Sequence, residues 1–191
     1  MNKHERKHLW SLPNMLTMGR VAAVPLLVLL MLGEGKWPSF LAALLFSLVC
    51  ITDLVDGYLA RKMGIVTTIG KFLDPLADKL IVMTALIMLI PMDRVEAWIV
   101  VIIVARELAV TGLRAIAQES GVIIDASELG KRKTAAQISA IIPLLLHHND
   151  YPVFDWNFHA IGSVVIWIAL VMTIWSGYDY FKKYYDAVKE K

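Results

Sequence analysis

Apolar stretches close to the length of a membrane-spanning helix recur along this chain of 191 residues. A helix needs about 20 mostly apolar residues to cross the hydrocarbon core of a bilayer. Six stretches approach that length: residues 15–32, 40–59, 72–90, 97–117, 135–146 and 160–178. Hydrophobic residues make up 58% of the chain, whereas soluble domains are typically about 45–50% apolar. The sequence therefore predicts an all-α polytopic membrane protein with six transmembrane helices, in a single domain covering residues 1–191.

Basic residues fall mainly in alternate loops, which predicts the orientation of these helices. Short cytoplasmic loops carry an excess of lysine and arginine. The basic groups on one side are Lys3, Arg6 and Lys7; Arg61, Lys62 and Lys71; Lys131, Arg132 and Lys133; and Lys182, Lys183, Lys189 and Lys191. The opposite loops hold only Lys36 and Arg94. We therefore expect both termini in the cytoplasm and a multi-pass protein of the cytoplasmic membrane.

Composition also excludes other classes of protein. The polar first ten residues argue against a cleaved signal peptide, so the first span should be retained. A net charge of +2 gives no basis for nucleic-acid binding. The single cysteine, Cys50, excludes an intramolecular disulfide framework.

Four aspartates lie at the ends of the second and third predicted spans. Asp53 and Asp56 are three residues apart, and Asp74 and Asp78 are four apart, so each pair shares one helical face. The second span descends to the cytoplasm and the third returns, which places both pairs at one depth near the cytoplasmic face. A charge at the centre of a membrane helix costs about 2.5–3.5 kcal/mol on insertion scales. Something cationic must therefore offset these carboxylates.

Divalent metal ions are the best candidates for that cation. Carboxylate oxygens favour hard ions such as Mg²⁺, Mn²⁺ or Ca²⁺ over zinc. Two ions held about 3.5–4 Å apart can stabilise the attacking and leaving oxygens of a phosphoryl displacement. Gly57 and Gly70 each lie four residues from an aspartate, and Ala60 extends this small surface, so a substrate or helix can approach closely. The alternative is that each pair is interfacial or is neutralised by Lys71 and Lys79.

The spacing D-x2-D-G-x2-A-R-x8-G-x3-D-x3-D resembles the signature of the CDP-alcohol phosphatidyltransferases, with no departure at any position. Eight residues fill it: Asp53, Asp56, Gly57, Ala60, Arg61, Gly70, Asp74 and Asp78. The resemblance implies transfer of a phosphatidyl group from a CDP-linked lipid to an alcohol, with release of CMP and with two divalent ions, Mg²⁺ or Mn²⁺, as cofactors.

The same resemblance implies a role for each residue of the motif. Asp53, Asp56 and Asp74 would be metal ligands. Asp78 would be the catalytic base on the acceptor hydroxyl and would also contact a metal. The nucleotide-binding residues would be Gly57, Ala60, Arg61 and Gly70. The resemblance also implies a homodimer.

Basic residues in and after the fourth span are candidates for binding an acceptor phosphate. Arg106 and Arg114 lie within an apolar stretch, where arginine is rare without a partner. Lys131 and Lys133 follow in the next cytoplasmic loop. Guanidinium and ammonium groups bind phosphate oxygens well. The alternatives are that Arg106 pairs with a motif carboxylate and that the lysines only obey the positive-inside rule.

Three further segments resemble the branch of the family that uses glycerol 3-phosphate as acceptor: SLPNMLTMGRVAAVP, RELAVTGLRAIAQESG and ASELGKRKTAAQ. The implied reaction joins the phosphatidyl group of CDP-diacylglycerol to sn-glycerol 3-phosphate, in phospholipid biosynthesis. Asn14, Thr17 and Arg20 of the first segment are candidates to line the cytoplasmic mouth, although a helix cap and an interfacial charge explain them equally well.

Three other hypotheses remain at this point. The first is a phosphatidylinositol-phosphate synthase or another member of the family, since an inositol phosphate acceptor is also phosphorylated. The second is a divalent-cation transporter, for which carboxylates inside the membrane are equally natural. The third is a noncatalytic assembly protein, which the intact aspartate motif disfavours.

Overall fold

The computed structural model describes residues 12–63, 68–119, 128–148 and 156–189, and in these ranges it contains helices and no strand. Six helices follow one another: α1 (Leu12–Met31), α2 (Lys36–Met63), α3 (Thr68–Leu89), α4 (Ala97–Glu119), α5 (Glu128–Leu146) and α6 (Phe158–Lys189). Each predicted span corresponds to one of these helices. The prediction of an all-α chain is therefore confirmed for the described residues.

Several helices extend beyond the apolar stretches that predicted them. The predicted second span ends at residue 59, whereas α2 continues to Met63, and α3 begins at Thr68 instead of residue 72. At its C-terminal end α6 continues to Lys189, well past the predicted boundary at residue 178. The physical reason is that backbone hydrogen bonds sustain a helix whether it lies in hydrocarbon or in water, so apolar composition alone underestimates its length.

Two helices among the described residues are long and apolar enough to cross a membrane: Lys36–Asp53 within α2 and Phe158–Ala187 within α6. Shorter apolar segments occur at Met18–Met31 and Lys79–Leu89. Many large apolar side chains on these helices are exposed, including Leu29, Leu48, Val171 and Trp175. Exposed apolar side chains in such numbers suit a lipid environment.

The chain divides into two compact units, Met1–Met88 and Leu89–Lys191. In the first unit α1 packs against α2, and Leu27, Ala42 and Phe46 are fully buried. Small Ala42 leaves room for large side chains to interdigitate between the two helices.

In the second unit α6 packs against both α4 and α5. Gly162 of α6 lies so near Leu144 of α5 that an added Cβ would be 2.6 Å from Leu144 Cγ. Trp98 and Trp167 meet edge to face, with ring centroids 5.3 Å apart. The lack of a side chain at Gly162 is therefore what permits this close approach of α5 and α6.

The C-terminus of α5 is capped by an arginine from the segment between α3 and α4. Arg94 is buried, and its Nη1 donates hydrogen bonds to the carbonyl oxygens of Leu144, at 3.2 Å, and Leu145, at 2.8 Å. The last carbonyls of a helix lack intrahelical donors and carry a partial negative charge. Arg94 is one of the two basic residues in the predicted outward loops. Its contacts with α5 give it a structural role there.

Candidate functional site

Asp53 is the one motif aspartate whose side chain the structure describes, and it forms an ion pair between two helices. Arg20 Nη2 of α1 lies 2.8 Å from Asp53 Oδ1 of α2. The Arg20 side chain is 6% exposed and that of Asp53 is 38% exposed. The carboxylate of Asp53 compensates the buried charge of Arg20, while Asp53 itself keeps an accessible side. Arg20 is therefore an ion-pair partner of the motif, whereas the sequence left open a position at the cytoplasmic mouth and an interfacial charge.

The other motif residues lie in helices whose backbone is described but whose side chains are outside the described part. Asp56 belongs to α2 with Asp53, and Asp74 and Asp78 both belong to α3. The helical conformation on which the pairing argument depends is therefore confirmed for both pairs. The remaining motif residues also lie in helices whose backbone is described: Gly57, Ala60 and Arg61 in α2 and Gly70 in α3.

The donor atoms around Asp53 indicate whether this region suits a divalent metal ion. Asp53 offers a partly exposed carboxylate and already contacts one cation, Arg20. Such an oxygen donor suits a hard ion. Within the part of the chain that the structure describes, no group of three or more potential metal-ligating side chains comes together. Three of the four motif aspartates have side chains outside that part.

A second set of charged residues is buried between the helices of the second unit. Glu107 of α4 is at its centre, because its Oε1 forms ion pairs with Lys133 Nζ of α5 and, at 3.3 Å, with Arg106 Nη1 of α4. These three side chains are between 5% and 12% exposed. Charges so deeply buried are tolerated only when they are paired.

Both arginines of α4 are held by polar side chains of α6. Arg106 Nη2 donates to Ser176 Oγ at 2.8 Å, and Arg114 Nε donates to Tyr180 Oη at 2.6 Å. The guanidinium of Arg114 also lies 4.9 Å from the centre of the Tyr180 ring. Ser176 and Tyr180 are four residues apart, so the two positions of α6 that hold the arginines are separated by about one helical turn, roughly 5–6 Å.

These contacts define the α4–α6 polar cluster, which comprises Arg106, Glu107, Arg114, Lys133, Ser176 and Tyr180. A hydrogen bond from Gln137 Nε2 of α5 to Thr173 Oγ1 of α6, at 3.1 Å, adds a polar contact one turn away. Of the four basic residues predicted to bind a phosphate, Arg106, Arg114 and Lys133 belong to the cluster. Lys131 is exposed.

The cluster has the charge that a phosphate monoester requires. Among the described side chains of the cluster, three cations, Arg106, Arg114 and Lys133, accompany one carboxylate, Glu107, which gives these four side chains a formal excess of two positive charges. A phosphate monoester is close to a dianion at neutral pH. The cluster can therefore neutralise such a group through charge-assisted hydrogen bonds.

Sequence reasoning missed Glu107, Ser176 and Tyr180. A signal for Glu107 was present, because a carboxylate inside an apolar stretch and next to Arg106 is itself rare in a membrane helix. Ser176 and Tyr180 carried no comparable signal, since serine and tyrosine are common in such helices. Only the packing of α6 against α4 shows what they contact.

Comparison with known proteins agrees with the motif. Residues 10–175 match the family described as CDP-alcohol phosphatidyltransferase. The chain is 41% identical over 193 residues to the CDP-diacylglycerol–glycerol-3-phosphate 3-phosphatidyltransferase of Bacillus subtilis (strain 168), covering 95% of this chain and 98% of that protein. It is also 41% identical to the protein of the same name from Rickettsia bellii (strain RML369-C), covering 90% and 94% of the two chains. A more distant relative is the cardiolipin synthase (CMP-forming) of Oryza sativa subsp. japonica, 35% identical over 92% of this chain and 57% of that protein.

The helical architecture, the apolar surfaces and the family together indicate a membrane protein. The chain belongs to the CDP-alcohol phosphatidyltransferase family. Within that family, its similarity is high to bacterial proteins whose name specifies glycerol 3-phosphate as the acceptor.

Proposed function

We propose that the chain transfers the phosphatidyl group of CDP-diacylglycerol to sn-glycerol 3-phosphate, giving phosphatidylglycerophosphate and CMP in phospholipid biosynthesis. The observation that carries this proposal is 41% identity, over nearly the whole length of both chains, to a bacterial protein named for this reaction. The cations of the α4–α6 polar cluster support it independently, because an acceptor with a phosphate needs such a site. A divalent-cation transporter would need no site of this kind.

The proposed chemistry is a displacement at the phosphatidyl phosphorus. The acceptor hydroxyl oxygen forms a bond to that phosphorus while the bond to the bridging pyrophosphate oxygen breaks, and the electron pair leaves with CMP. The carboxylate of Asp78 takes the proton of the hydroxyl as general base. We assign the nucleotide to Gly57, Ala60 and Gly70, which have little or no side chain, and its phosphates to Arg61.

Two divalent ions, Mg²⁺ or Mn²⁺, are proposed cofactors. The ligands would be Asp53, Asp56, Asp74 and Asp78, whose oxygen donors suit such ions. When bound, the ions neutralise the pyrophosphate and stabilise the departing oxygen. Arg20 holds Asp53 by its Oδ1 atom, which supports a fixed orientation of that carboxylate.

The acceptor phosphate is assigned to Arg106, Arg114, Lys131 and Lys133. Burial and ion pairing support Arg106 and Lys133 most directly, and the contacts of Arg114 with Tyr180 support its place beside them. Lys131 is exposed, which favours a role in attracting the anionic acceptor over one in holding it.

We further propose that the chain forms one catalytic domain over residues 1–191, crosses the cytoplasmic membrane six times with both termini inside, and works as a homodimer. The six described helices and the alternation of basic loops support the number of crossings and the orientation. Both motif and acceptor residues then act on the cytoplasmic side, where a soluble nucleotide product is released.

Purified protein in detergent, supplied with CDP-diacylglycerol and one acceptor at a time, tests the proposal through release of CMP. We expect metal-dependent release with glycerol 3-phosphate and a loss of at least about 100-fold in Asp78→Asn, a range typical for a general base. The matched control is Asp186→Asn, which changes an exposed carboxylate on α6. Turnover with inositol phosphate but not with glycerol 3-phosphate would overturn the assignment of the acceptor, and undiminished release by Asp78→Asn would remove the proposed base.

A further inference from the structure

Glu107 is the acidic side chain among the described members of the α4–α6 polar cluster, and its position between two cations is unexpected for a site that binds an anion. Its Oε1 contacts Lys133 Nζ and lies 3.3 Å from Arg106 Nη1, so one oxygen atom serves both cations. A carboxylate beside a bound phosphate repels it. This cost must be offset by something that Glu107 contributes.

The contribution is the placement of the two cations. Arg106 and Lys133 come from different helices, α4 and α5, and their like charges repel each other when both are buried. The shared carboxylate converts this repulsion into two attractions. Without it, each of the two long side chains gains by turning away from the other.

Arg106 also retains donor capacity after its described contacts are made. Nη1 contacts Glu107, Nη2 donates to Ser176 Oγ, and the buried Nε has no hydrogen-bond partner among the described residues. A buried donor without a partner costs free energy. Two nitrogen atoms of the Arg106 guanidinium are thus hydrogen-bonded and Nε is not, as expected for a group whose remaining partner is a ligand.

We propose that Glu107 is a positioning residue that holds Arg106 and Lys133 together as a binding pair and thereby makes the enzyme selective for a phosphorylated acceptor. This inference rests on the proposed function. With Glu107 in place, the described side chains of the cluster carry two excess positive charges and match a phosphate dianion. An acceptor without a phosphate leaves that excess unneutralised and is disfavoured.

The primary test is Glu107→Gln, which keeps the size of the side chain and removes its charge. We expect the KM for glycerol 3-phosphate to rise about tenfold or more, the effect of losing one well-placed charged contact. The KM for CDP-diacylglycerol should stay within about twofold, because the cluster does not bind the nucleotide lipid. The control Glu96→Gln changes an exposed carboxylate just before α4 and should alter neither constant.

The conservative variant Glu107→Asp separates positioning from simple structural support. Aspartate restores the negative charge near Arg106 and Lys133 and changes neither of these phosphate-binding cations, so positioning predicts a KM for glycerol 3-phosphate below that of Glu107→Gln. A purely structural role predicts instead that the KM values for both substrates and the thermal midpoint of unfolding change together in Glu107→Gln. A KM for glycerol 3-phosphate in Glu107→Asp equal to that of Glu107→Gln would overturn the proposal.

A binding measurement without turnover completes the test. Glycerol 3-phosphate alone should raise the thermal midpoint of the wild-type protein, since a ligand that binds the folded state stabilises it. The same concentration should give little or no increase in Glu107→Gln. An equal increase in both proteins would refute the role of Glu107, whereas wild-type protein that shows no turnover with this acceptor would refute the proposed function instead.

Discussion

At the scale of single residues, each described charge in the interior has an identified partner that explains why it is tolerated. Arg20 is paired with Asp53, Lys133 with Glu107, and Arg94 with the carbonyl groups at the end of α5. Their net contribution to stability is limited, because desolvation offsets much of the attraction. Removing one partner is nevertheless costly, because it leaves the other charge buried and unpaired.

His147 is a residue whose protonation state should affect stability. It follows α5, adopts a left-handed backbone conformation with φ of 48°, and its buried Nδ1 has no partner among the described residues. Burial lowers the pKa of His147 from its ordinary value of 6.5, and the positive charges of Arg94, His159 and His148 lower it further. The neutral imidazole is therefore the form that the fold prefers.

We predict that acid destabilises the protein in part through His147. Since the pKa is lower in the folded than in the unfolded state, the unfolded chain binds the proton first as the pH falls. The contribution of His147 to the free energy of unfolding is fully present above about pH 6.5. It decreases as the pH falls through the pKa of the unfolded state and then that of the folded state. Thermal unfolding in detergent between about pH 7.5 and pH 5.5 should show this decrease.

The variant His147→Asn tests the assignment, because asparagine accepts a left-handed conformation and does not titrate. The decrease in thermal midpoint on acidification should be smaller in this variant than in the wild type. His148→Asn, which removes an imidazole from the same helix end, is the control and should keep most of the wild-type pH dependence. An unchanged pH dependence in His147→Asn would contradict the prediction.

At the scale of elements, α6 organises the second unit. It packs tightly on α5 at Gly162 and anchors both arginines of α4 through Ser176 and Tyr180. Gly177 belongs to the same surface, because an added Cβ would lie 3.2 Å from Arg106 Cγ. Gly162 therefore allows α6 to pack closely on α5, and Gly177 leaves room for the side chain of Arg106.

Substituting Gly162 by alanine should loosen the contact between α5 and α6. The new Cβ would lie 2.6 Å and 2.8 Å from Leu144 Cγ and Cδ2 and 3.0 Å from the backbone nitrogen of Leu144, so the backbone as well as the side chain must shift. Overpacking of this kind costs about 1–3 kcal/mol. We expect a clear decrease in the thermal midpoint of unfolding in detergent.

The matched control for this substitution is Gly112→Ala on α4, where an added Cβ meets nothing within 4 Å. Because alanine favours a helix over glycine by up to about 1 kcal/mol, the midpoint should stay the same or rise slightly. Equal decreases in the two variants would show that loss of helix flexibility, and not crowding against Leu144, is responsible.

At the scale of the whole molecule, the proposed six crossings divide the chain into cytoplasmic and outward segments. In this proposal, residues 32–35, 90–96 and 147–157 face outward, while the two termini and residues 64–67 and 120–127 face the cytoplasm. The length of α6, 32 residues, exceeds the roughly 20 that span the hydrocarbon core, so this helix extends beyond it.

Cysteine labelling in intact cells can test this topology. Cys50, which is buried, is first replaced by alanine, and single cysteines are then introduced at exposed positions. Glu34→Cys and Asn157→Cys should react with a membrane-impermeant maleimide from outside, whereas Lys131→Cys and Lys189→Cys should react only after the membrane is permeabilised. Labelling of Lys189→Cys in intact cells would contradict a cytoplasmic C-terminus and thus an even number of crossings with both ends inside.

By itself, the sequence determined the helical class, the approximate position of each helix, the aspartate motif and the family. These properties depend on composition, periodicity and fixed spacing, which are local along the chain. Helix boundaries were less accurate, as α2 and α6 show, because backbone hydrogen bonding continues where apolar residues end.

Only the tertiary structure decided how the charged residues are paired. Arg20 meets Asp53 across 33 positions of sequence, Arg106 meets Ser176 across 70, and Lys133 and Glu107 come from different helices. Such pairings depend on the rotation and axial position of packed helices, which are determined by the interdigitation of side chains along the whole contact. For this reason the sequence identified the three cations of the α4–α6 polar cluster but not the carboxylate that holds two of them together.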